Sequence, residues 1–452
     1  MECITVDELM LAVNGINVFS EKTVNIKSVA IDSRLCTPGC VFFALRGTVT
    51  DGHRYIRAAV ENGAVAIVLE DECEIDGIAV IKVQDTFKAL QDLAKWYISK
   101  FDIPFIAVTG SSGKTTTKDL IASVLAVKYN VHKTQGNLNS STGVPLSIFG
   151  LTPGNQISVL EMSMSHPGEI YGNVDIVRPE CAVITNIGMC HLEYLKTRDN
   201  IFKAKCEVFS FFEKDDVLIY NSDDDYLKTL SNRDFNTIGV GLESGDARAH
   251  IISEGKNGVD FSVSYKDEAH VFHFDYPGEH NVRNCLSAIA VAFKYGLSAD
   301  DIQQGLNSFI PGKNRMQVEE VDGISFINDT YNSNPDALKA SVDFLKNVAV
   351  GRKIAVLGDM LELGPQSKVI HEQTGLAIID SLDMMITTGD MGKYFIPEDP
   401  RLLYKCHYFD DKAMLLKYLL NTLQEGGTVL FKASRGMQLD LILLDVFKEL
   451  GK

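Results

Sequence analysis

The stretch Ile106–Leu120, IAVTGSSGKTTTKDL, decides the fold of the middle of this 452-residue chain. An apolar run typical of a β-strand enters a Ser/Gly turn, and a helical pattern follows Lys114-Thr115. Glycines let the backbone N–H groups of such a turn surround phosphate oxygens, and the helix N-terminus adds partial positive charge. Lys114 can reach the β- and γ-phosphates, and the Thr115 hydroxyl can bind Mg²⁺. The stretch therefore predicts a nucleotide phosphate site.

The turn departs from the commonest phosphate-loop pattern at its first glycine. That pattern would place a glycine at position 108, where this chain has Val108, and the first glycine here is Gly110. The alternative is a Ser/Gly turn that only caps a helix. The agreement of strand, turn, Lys-Thr pair and helix favours the phosphate site. Its predicted contacts are Gly110, Ser111, Ser112, Gly113, Lys114, Thr115 and Thr116.

Two further polar residues follow predicted strands near the phosphate loop. ISVLEMS ends in Glu161, and CAVITNIGMCHLE leads to His191. The carboxyl ends of strands in an α/β sheet lie where ligands bind, and Mg²⁺ prefers oxygen ligands. Without the phosphate loop, Glu161 would be a solvated carboxylate and His191 a loop histidine. With it, both become candidate metal ligands.

The pattern of strands and helices along the whole chain predicts three α/β domains. Residues 101–310 alternate strands and helices as in a mostly parallel sheet of P-loop ATPase type, with short antiparallel strands at 248–275 and two helices at 279–309. Residues 1–100 predict a small α/β domain. The turn formers of Pro311–Arg315 mark a boundary, and residues 311–452 predict a smaller doubly wound, Rossmann-like domain.

Composition argues against several classes of partner and location. The chain has 43 Lys+Arg and 60 Asp+Glu, a formal charge of −17, which argues against nucleic acid or an anionic membrane as the main partner. No apolar run reaches the roughly 20 residues of a membrane helix, and MECITVDELM lacks signal-peptide features, so we expect a cytoplasmic protein. Nine scattered cysteines without a C-x-x-C pair are interpreted as reduced thiols.

Eight motifs in order carry a resemblance to a known family. The chain resembles the Mur ligases, and its segment DSRLCTPGCVFFALRGTVTDGH is similar to their uridine-nucleotide-binding segment. The motifs are TGSSGKTTTK (109–118), EMSMSHPGEI (161–170), ITNIGMCHLE (184–193), KAKCEVF (203–209), GEHNVRNCLSA (278–288), INDTYNSNPDAL (327–338), GDMLELG (358–364) and KASRGMQLD (432–440).

The resemblance implies an ATP-dependent ligase that forms a C–N bond through an acyl phosphate. The motifs are most similar to the branch that adds D-alanyl-D-alanine to UDP-N-acetylmuramoyl-tripeptide, in the cytoplasmic synthesis of the peptidoglycan precursor. The partners implied are these small substrates, and neither nucleic acid binding nor membrane insertion is expected. The resemblance also implies a monomer. The N-terminal domain would bind the UDP end of the substrate.

The resemblance also implies individual roles. Catalytic roles fall on Lys114, Glu161, His191 and Lys205. ATP and two Mg²⁺ ions are implied as cofactors, the metal ligands being Thr115, Glu161, His191 and Lys205, the last as a carbamylated lysine. Nucleotide contacts fall on Asn281, Asn284, Arg315, Asp329 and Asn332. Substrate contacts fall on Ser33, Arg34, Arg46, Gly47, Asp51, Asn137, Asn139 and Arg435.

Alternatives remain open at several of these positions. Ser140, Ser163 and Ala433 depart from the family pattern near ligand loops. In the segment SRGM, Ser434 could be the N-cap of a helix, which is the alternative to a peptide-binding role of Arg435. Lys205 could be a surface lysine. For the whole chain the alternatives are the preceding ligase, which adds one amino acid and usually carries D-N-P-R and G-x-G-x-x-R-D motifs absent here, a folylpolyglutamate synthase, or a catalytically silent nucleotide-binding partner.

Overall fold

The computed structural model describes residues 1–19, 24–48, 50–73, 75, 77–231 and 233–451, except the side chains of 17–19. Three α/β domains follow one another along the chain, each built around its own sheet. The predicted fold class is confirmed.

The N-terminal domain has a mostly parallel sheet in the order β2-β7-β6-β5-β4, in which only the β2–β7 pair is antiparallel, and a separate β1–β3 pair. Its elements are β1 (Ile4–Thr5), α1 (Val6–Val13), β2 (Ile16–Phe19), β3 (Asn25–Ile26), β4 (Ser28–Ala30), β5 (Cys40–Phe43), α2 (Ile56–Glu61), β6 (Ala64–Leu69), β7 (Ala79–Lys82) and α3 (Thr86–Ile98).

The central domain carries the sheet β16-β15-β14-β13-β12-β11-β8-β10-β9, parallel from β9 to β14 and antiparallel beyond it. Its elements are β8 (Phe105–Thr109), α4 (Lys114–Leu125), β9 (Val131–Lys133), α5 (Gly143–Ile148), β10 (Ile157–Glu161), α6 (Glu169–Val177), β11 (Cys181–Ile184), α7 (Leu192–Leu195), α8 (Arg198–Cys206), β12 (Val217–Asn221), β13 (Asn236–Gly241), β14 (Ala247–Gly255), β15 (Gly258–Tyr265), β16 (Glu268–Phe274), α9 (Glu279–Lys294) and α10 (Ala299–Asn307).

The C-terminal sheet has the order β17-β18-β22-β19-β20-β21, parallel except for the β17–β18 pair. Its elements are β17 (Gln317–Val321), β18 (Ile324–Asn328), α11 (Pro335–Val348), β19 (Lys353–Leu357), α12 (Ser367–Ile378), β20 (Met384–Thr388), β21 (Cys406–Phe409), α13 (Lys412–Leu423), β22 (Thr428–Lys432) and α14 (Leu439–Glu449).

Burial on both faces explains the long apolar runs of the central strands. All five residues of β8 are buried, and its side chains alternate between two apolar clusters. One cluster includes buried residues of α4, α9 and α10, and the other includes residues of α3, α5 and α6. A strand covered on both faces needs apolar residues at every position rather than at alternate ones. The loops at its carboxyl end are thereby held on a rigid support.

Two local elements differ from the sequence expectation. The hairpin β17–β18 was not predicted, although Asp322-Gly323, with φ of 51° and 73°, is a dipeptide typical of a two-residue hairpin turn. The sequence pattern predicts a terminal helix from Met437, whereas the last helix begins at Leu439, because Gln438 adopts a left-handed φ of 52° after a 3-10 turn at Arg435–Met437. Within the described ranges, no helix is both long and apolar enough to cross a membrane.

Candidate active site

The predicted phosphate loop lies between β8 and α4, at the carboxyl edge of the central sheet. Gly110 and Gly113 have φ of 148° and 79°. A Cβ at Gly110 would collide with the Thr185 hydroxyl, and one at Gly113 would lie 2.7 Å from Asn284 Oδ1. Val108, in the position of the usual first glycine, is a buried residue of β8. The loop therefore needs glycine at 110 and 113 but not at 108.

The segment after β11 holds the loop in place. The Ser111 N–H donates to the Asn186 carbonyl at 3.0 Å, and the Ser112 N–H donates to Asn186 Oδ1 at 3.0 Å. The Thr185 hydroxyl donates to the Ser112 carbonyl at 2.6 Å. Thr185 and Asn186 were not predicted as site residues, although both belong to the motif that contains His191. The motif thus shapes the phosphate loop as well as supplying the histidine.

Two lysines converge on one carbonyl of this loop. Lys114 Nζ and Lys205 Nζ each donate to the Gly110 carbonyl at 2.8 Å. The two nitrogens are therefore no farther apart than twice that distance. Lys205 is 1% exposed, so the alternative that it is a surface lysine is wrong. Burial, with the Lys114 charge nearby, lowers the pKa of Lys205 to about 7.

Glu161 lies beside the loop with hydroxyl and amide partners. Its Oε2 accepts from the Thr115 hydroxyl at 2.8 Å, and its Oε1 accepts from Asn139 Nδ2 at 2.7 Å. The carboxylate is 1% exposed, and no lysine or arginine of the described chain forms an ion pair with it. A buried carboxylate without a cationic partner is costly, and a carboxylate next to a hydroxyl is an oxygen donor set that suits Mg²⁺. The residues present therefore fit the predicted metal.

His191 meets the C-terminal domain at this edge. Its Nδ1 lies 2.5 Å from Glu362 Oε2, and the Glu193 N–H donates to the Glu362 carbonyl at 3.0 Å. Glu362 belongs to the motif GDMLELG but had no predicted role. In the residues that the structure describes, no three His, Cys, Asp or Glu side chains group closely enough to hold a metal by themselves. Any metal here would need hydroxyl, phosphate or water ligands as well.

A cavity of about 360 Å³ opens between the central and C-terminal domains over the phosphate loop. It brings together most of the predicted nucleotide contacts and all but one of the predicted catalytic residues, Lys205 being buried behind the loop at Gly110. The predicted residues among its lining are Ser111, Ser112, Gly113, Lys114, Thr115, Thr116, Asn139, Glu161, His191, Asn281, Asn284, Arg315, Asp329 and Asn332.

Helix α9 supplies the two predicted asparagines. Asn284 Oδ1 accepts from the Thr117 hydroxyl at 3.1 Å, and Asn281 Nδ2 donates to the Pro277 carbonyl at 2.9 Å. His280, on the same helix, also lines the cavity and was not predicted. Burial lowers the pKa of His280 to about 4, so its imidazole is neutral at neutral pH.

The C-terminal domain contributes a buried ion pair whose lysine, Lys432, was not among the predicted site residues. Lys432 Nζ lies 2.5 Å from Asp329 Oδ2, which also accepts from the Ser341 hydroxyl at 2.7 Å. Lys432 also donates to the Asn332 carbonyl at 2.9 Å and is 2% exposed. The Arg315 guanidinium stacks 3.8 Å from the centre of the Tyr331 ring. Lys432 thus holds Asp329 and Asn332, and both of these residues are predicted to contact the nucleotide.

Replacing Lys432 with methionine is expected to lower the free energy of unfolding by about 3–5 kcal/mol, because Asp329 would stay buried without its cation. Hydrogen exchange of the β18 and β22 amides measures that loss. The matched control is Lys448→Met, which removes an exposed pair with Asp445 at 2.7 Å and should cost about 0–1 kcal/mol. Equal losses in the two variants would contradict the role of the buried pair.

Other contacts dock the C-terminal domain directly on the central loops. Asn334 Nδ2 donates to the Ser112 hydroxyl at 2.9 Å. The Asp336 carboxylate lies so close to Gly188 that a Cβ there would collide with it, and burial raises the pKa of Asp336. Both residues begin α11, so this helix start faces the phosphate loop.

The remaining predicted residues lie outside the cavity. Asn137 is exposed, and Arg435 forms an ion pair with Asp440 at 2.8 Å. The Ser434 hydroxyl does not cap the following turn but accepts from the Leu361 N–H at 2.9 Å. The alternative in which Ser434 caps a helix is therefore not supported, and the peptide-binding role of Arg435 stays a prediction.

The predicted uridine-nucleotide residues lie in two turns of the N-terminal domain, which follow the adjacent parallel strands β4 and β5. Arg34 pairs with Asp32 at 2.6 Å, and the Arg46 guanidinium pairs with Glu70 at 2.7 Å and Asp71 at 2.6 Å. Ser33 begins the first turn, and Gly47 and Asp51 lie in the second, where Arg46 and Asp51 form an antiparallel bridge.

The three departures from the family pattern have structural partners. Ser163 Oγ contacts Asn139 Oδ1 at 2.9 Å, and Asn139 in turn bonds Glu161. The Ser140 hydroxyl accepts from the Gly143 N–H at 3.1 Å at the start of α5. Ala433 is fully buried. Ser163 therefore supports the carboxylate indirectly, through Asn139.

Comparison with known proteins gives matches over almost the whole chain. Family models match residues 25–97 (Mur ligase family, catalytic domain), 108–292 (Mur ligase middle domain) and 314–435 (Mur ligase, glutamate ligase domain). UDP-N-acetylmuramoyl-tripeptide–D-alanyl-D-alanine ligase of Bacillus subtilis (strain 168) is 36% identical over 436 residues, 95% of this chain and 94% of that protein.

Solved structures agree with these matches. MurF from Acinetobacter baumannii superposes with a TM-score of 0.91 at 30% identity, covering 99% of each chain. MurF ligase from Thermotoga maritima in complex with ADP gives a TM-score of 0.84 at 31% identity, covering 94% of this chain and 98% of that one. With three family models in the expected order and this coverage, the chain belongs to the Mur ligase family.

Proposed function

We propose that this chain is an ATP-dependent ligase that joins D-alanyl-D-alanine to UDP-N-acetylmuramoyl-tripeptide and releases ADP and phosphate. The observation that carries the proposal is the cavity in which the phosphate loop and Glu161 face Arg315 and Asp329 across two domains. Phosphoryl transfer to a carboxylate needs cations from several directions around the γ-phosphate. The names of the full-length relatives supply the substrates.

The phosphate end of ATP belongs at the loop Gly110–Thr116. Lys114, now donating to loop carbonyls, is within reach of the β- and γ-phosphates, and the start of α4 adds its partial positive charge. Asn281 and Asn284 lie on the central side of the nucleotide, and Arg315, Asp329 and Asn332 approach it from the C-terminal domain. ATP binding therefore requires both domains.

Thr115 and Glu161 would hold one Mg²⁺, and His191 and Lys205 would bind a second. Bound Mg²⁺ neutralises charge on the phosphates and on the substrate carboxylate that attacks them. Asn139 keeps Glu161 oriented through the 2.7 Å hydrogen bond. Thr115 and Asn139 thereby keep the Glu161 carboxylate beside the phosphate loop.

Lys205 is proposed to act as a carbamate. Its neutral amine adds CO₂ and releases one proton, which gives an N-carboxylate with two oxygens. Burial and the neighbouring Lys114 both favour the neutral amine that this addition requires. A carboxylate suits Mg²⁺ far better than an amine does.

The UDP end of the substrate is proposed to bind the two N-terminal turns through Ser33, Arg34, Arg46, Gly47 and Asp51. The diphosphate would exchange with the carboxylates that now pair with Arg34 and Arg46. Asn137, Asn139 and Arg435 are proposed contacts of the peptide and the acceptor. We propose that the chain acts as a monomer, since its own residues line the cavity, and that it works in the cytoplasm on its UDP-linked substrate.

Phosphate release tests this function directly. With ATP, Mg²⁺ and UDP-N-acetylmuramoyl-tripeptide, D-alanyl-D-alanine should support turnover, and mass spectrometry should find the pentapeptide product. Single amino acids are the comparison acceptors. Turnover with them and none with the dipeptide would assign the chain to the preceding step, and no turnover with any acceptor would favour the catalytically silent partner.

A further inference from the structure

Glu362 and His191 face each other across the domain boundary in an uncommon backbone conformation. His191 has φ of 52° and Glu362 has φ of 63°, both in the left-handed region that favours glycine. Such strain persists where the surrounding structure fixes it, and it concentrates at functional sites. Here each residue directs a side chain to the other, His191 Nδ1 lying 2.5 Å from Glu362 Oε2.

The contact between the two segments is double. Besides the side-chain bond, the Glu362 carbonyl accepts from the Glu193 N–H at 3.0 Å, and Gly364 follows so closely that a Cβ there would lie 3.1 Å from Glu193 Cα. An isolated exposed ion pair would contribute little. The backbone contact fixes the segment that carries Glu362, and so it keeps the Glu362 carboxylate next to His191. In an isolated ion pair both side chains would be free to move apart.

The Glu362 carboxylate determines which ring nitrogen of His191 carries the hydrogen. A carboxylate has only acceptor oxygens, so the imidazole nitrogen bonded to it must carry the hydrogen. A neutral His191 then has Nδ1–H toward Glu362 and a lone pair on Nε2, and the His191 ring lines the cavity. Histidines that bind metals almost always donate their other N–H to such an outer partner.

We propose that Glu362 is a positioning residue: it fixes His191 in the Nδ1–H tautomer and so prepares Nε2 for the metal only when the C-terminal domain is docked. This proposal rests on the proposed function and adds a coupling to it. The domain that supplies Glu362 also supplies Arg315 and Asp329 to the cavity. Metal binding at His191 is then favoured in the same closed arrangement that assembles the nucleotide site.

Two variants test the proposal, with a matched control. Glu362→Gly removes the carboxylate and also the left-handed strain, so the protein should remain folded with a melting temperature that does not fall. Glu362→Gln keeps an acceptor without the charge and should be intermediate. The control is Glu398→Gln, an exposed carboxylate of the same domain.

The first readout uses metal-free protein with ¹⁵N-labelled histidine. The wild type and Glu398→Gln should show His191 protonated at Nδ1, whereas Glu362→Gly should show a mixture in which Nε2–H gains. The second readout is Mn²⁺ binding in the presence of ADP, which should weaken by about 10- to 100-fold in Glu362→Gly. The third is turnover, in which kcat should fall by a similar factor with an unchanged KM for the UDP substrate.

An unchanged His191 tautomer together with Mn²⁺ affinity within about twofold of the wild type would overturn the proposal. If the wild type itself fails to release phosphate with the dipeptide, the proposed function fails instead. The tautomer and the Mn²⁺ affinity still judge the role of Glu362 in that case, because neither measurement requires turnover.

Discussion

Replacing Lys114 with alanine should lower kcat by about 10²- to 10³-fold or more while leaving the fold intact. The ammonium group is the cation of the phosphate loop nearest to the transferring phosphoryl group in the proposed complex. Its loss leaves negative charge that develops in the transition state without a preorganised partner. Phosphate release under saturating ATP, dipeptide and UDP substrate measures the effect.

The fold should tolerate the Lys114 substitution because the side chain stabilises little else. Its two hydrogen bonds go to the carbonyls of Gly110 and Ser111 in its own loop, and alanine is a good residue for the first turn of α4. The matched control is Lys128→Ala, which removes an exposed lysine that contacts the Gly296 carbonyl just beyond the far end of α4. Near-normal turnover in a folded Lys114→Ala protein would contradict the phosphate-loop assignment.

The phosphate loop could be predicted because its signals are local. Strand, glycines, Lys-Thr and helix lie within fifteen consecutive residues, and each is a direct consequence of backbone geometry. Glu161 and His191 could be proposed for the same reason, since both follow strands of one parallel sheet. The alternation of strand and helix patterns predicted the three α/β domains, and the order of the motifs carried the family resemblance.

The contacts between residues far apart in the sequence could not be predicted in this way. Asn334 meets Ser112 across 222 residues of sequence, Glu362 meets His191 across 171, and Lys432 meets Asp329 across 103. Local patterns carry no information about which charged residue of a later domain will face an earlier loop. The burial of Lys432 was equally invisible, because a lysine at the end of a strand is usually solvated.

The structure distinguishes two interpretations of Lys205, a solvated surface lysine and a buried lysine beside the phosphate loop. From sequence alone the amphipathic segment IFKAKCEVFSFF is compatible with a solvated lysine. In the fold, α8 places Lys205 against the phosphate loop, whereas Lys203, two residues earlier, is exposed. Lys205 is therefore the functional candidate, and Lys203 is its matched control on the same helix.

Lys205→Ala should lower turnover by roughly 100-fold or more, since a direct metal ligand matters at least as much as an outer partner. Lys203→Ala should behave as the wild type. The substitution removes a long buried side chain and leaves a space behind the loop, so the fold must be checked by circular dichroism and thermal unfolding. A loss of activity alone would not separate the carbamate from simple packing.

Formate separates these two explanations. The proposed carbamate would supply two anionic oxygens to the second metal, and formate offers the same pair in a molecule small enough for the space that alanine leaves. Added formate should therefore restore part of the turnover of Lys205→Ala and none of that lost in Lys114→Ala, where a cation is missing. Packing defects do not respond to a small carboxylate in this selective way. A Lys205→Ala protein as active as the wild type, or one that stays folded and inactive at every formate concentration, would refute the carbamate role.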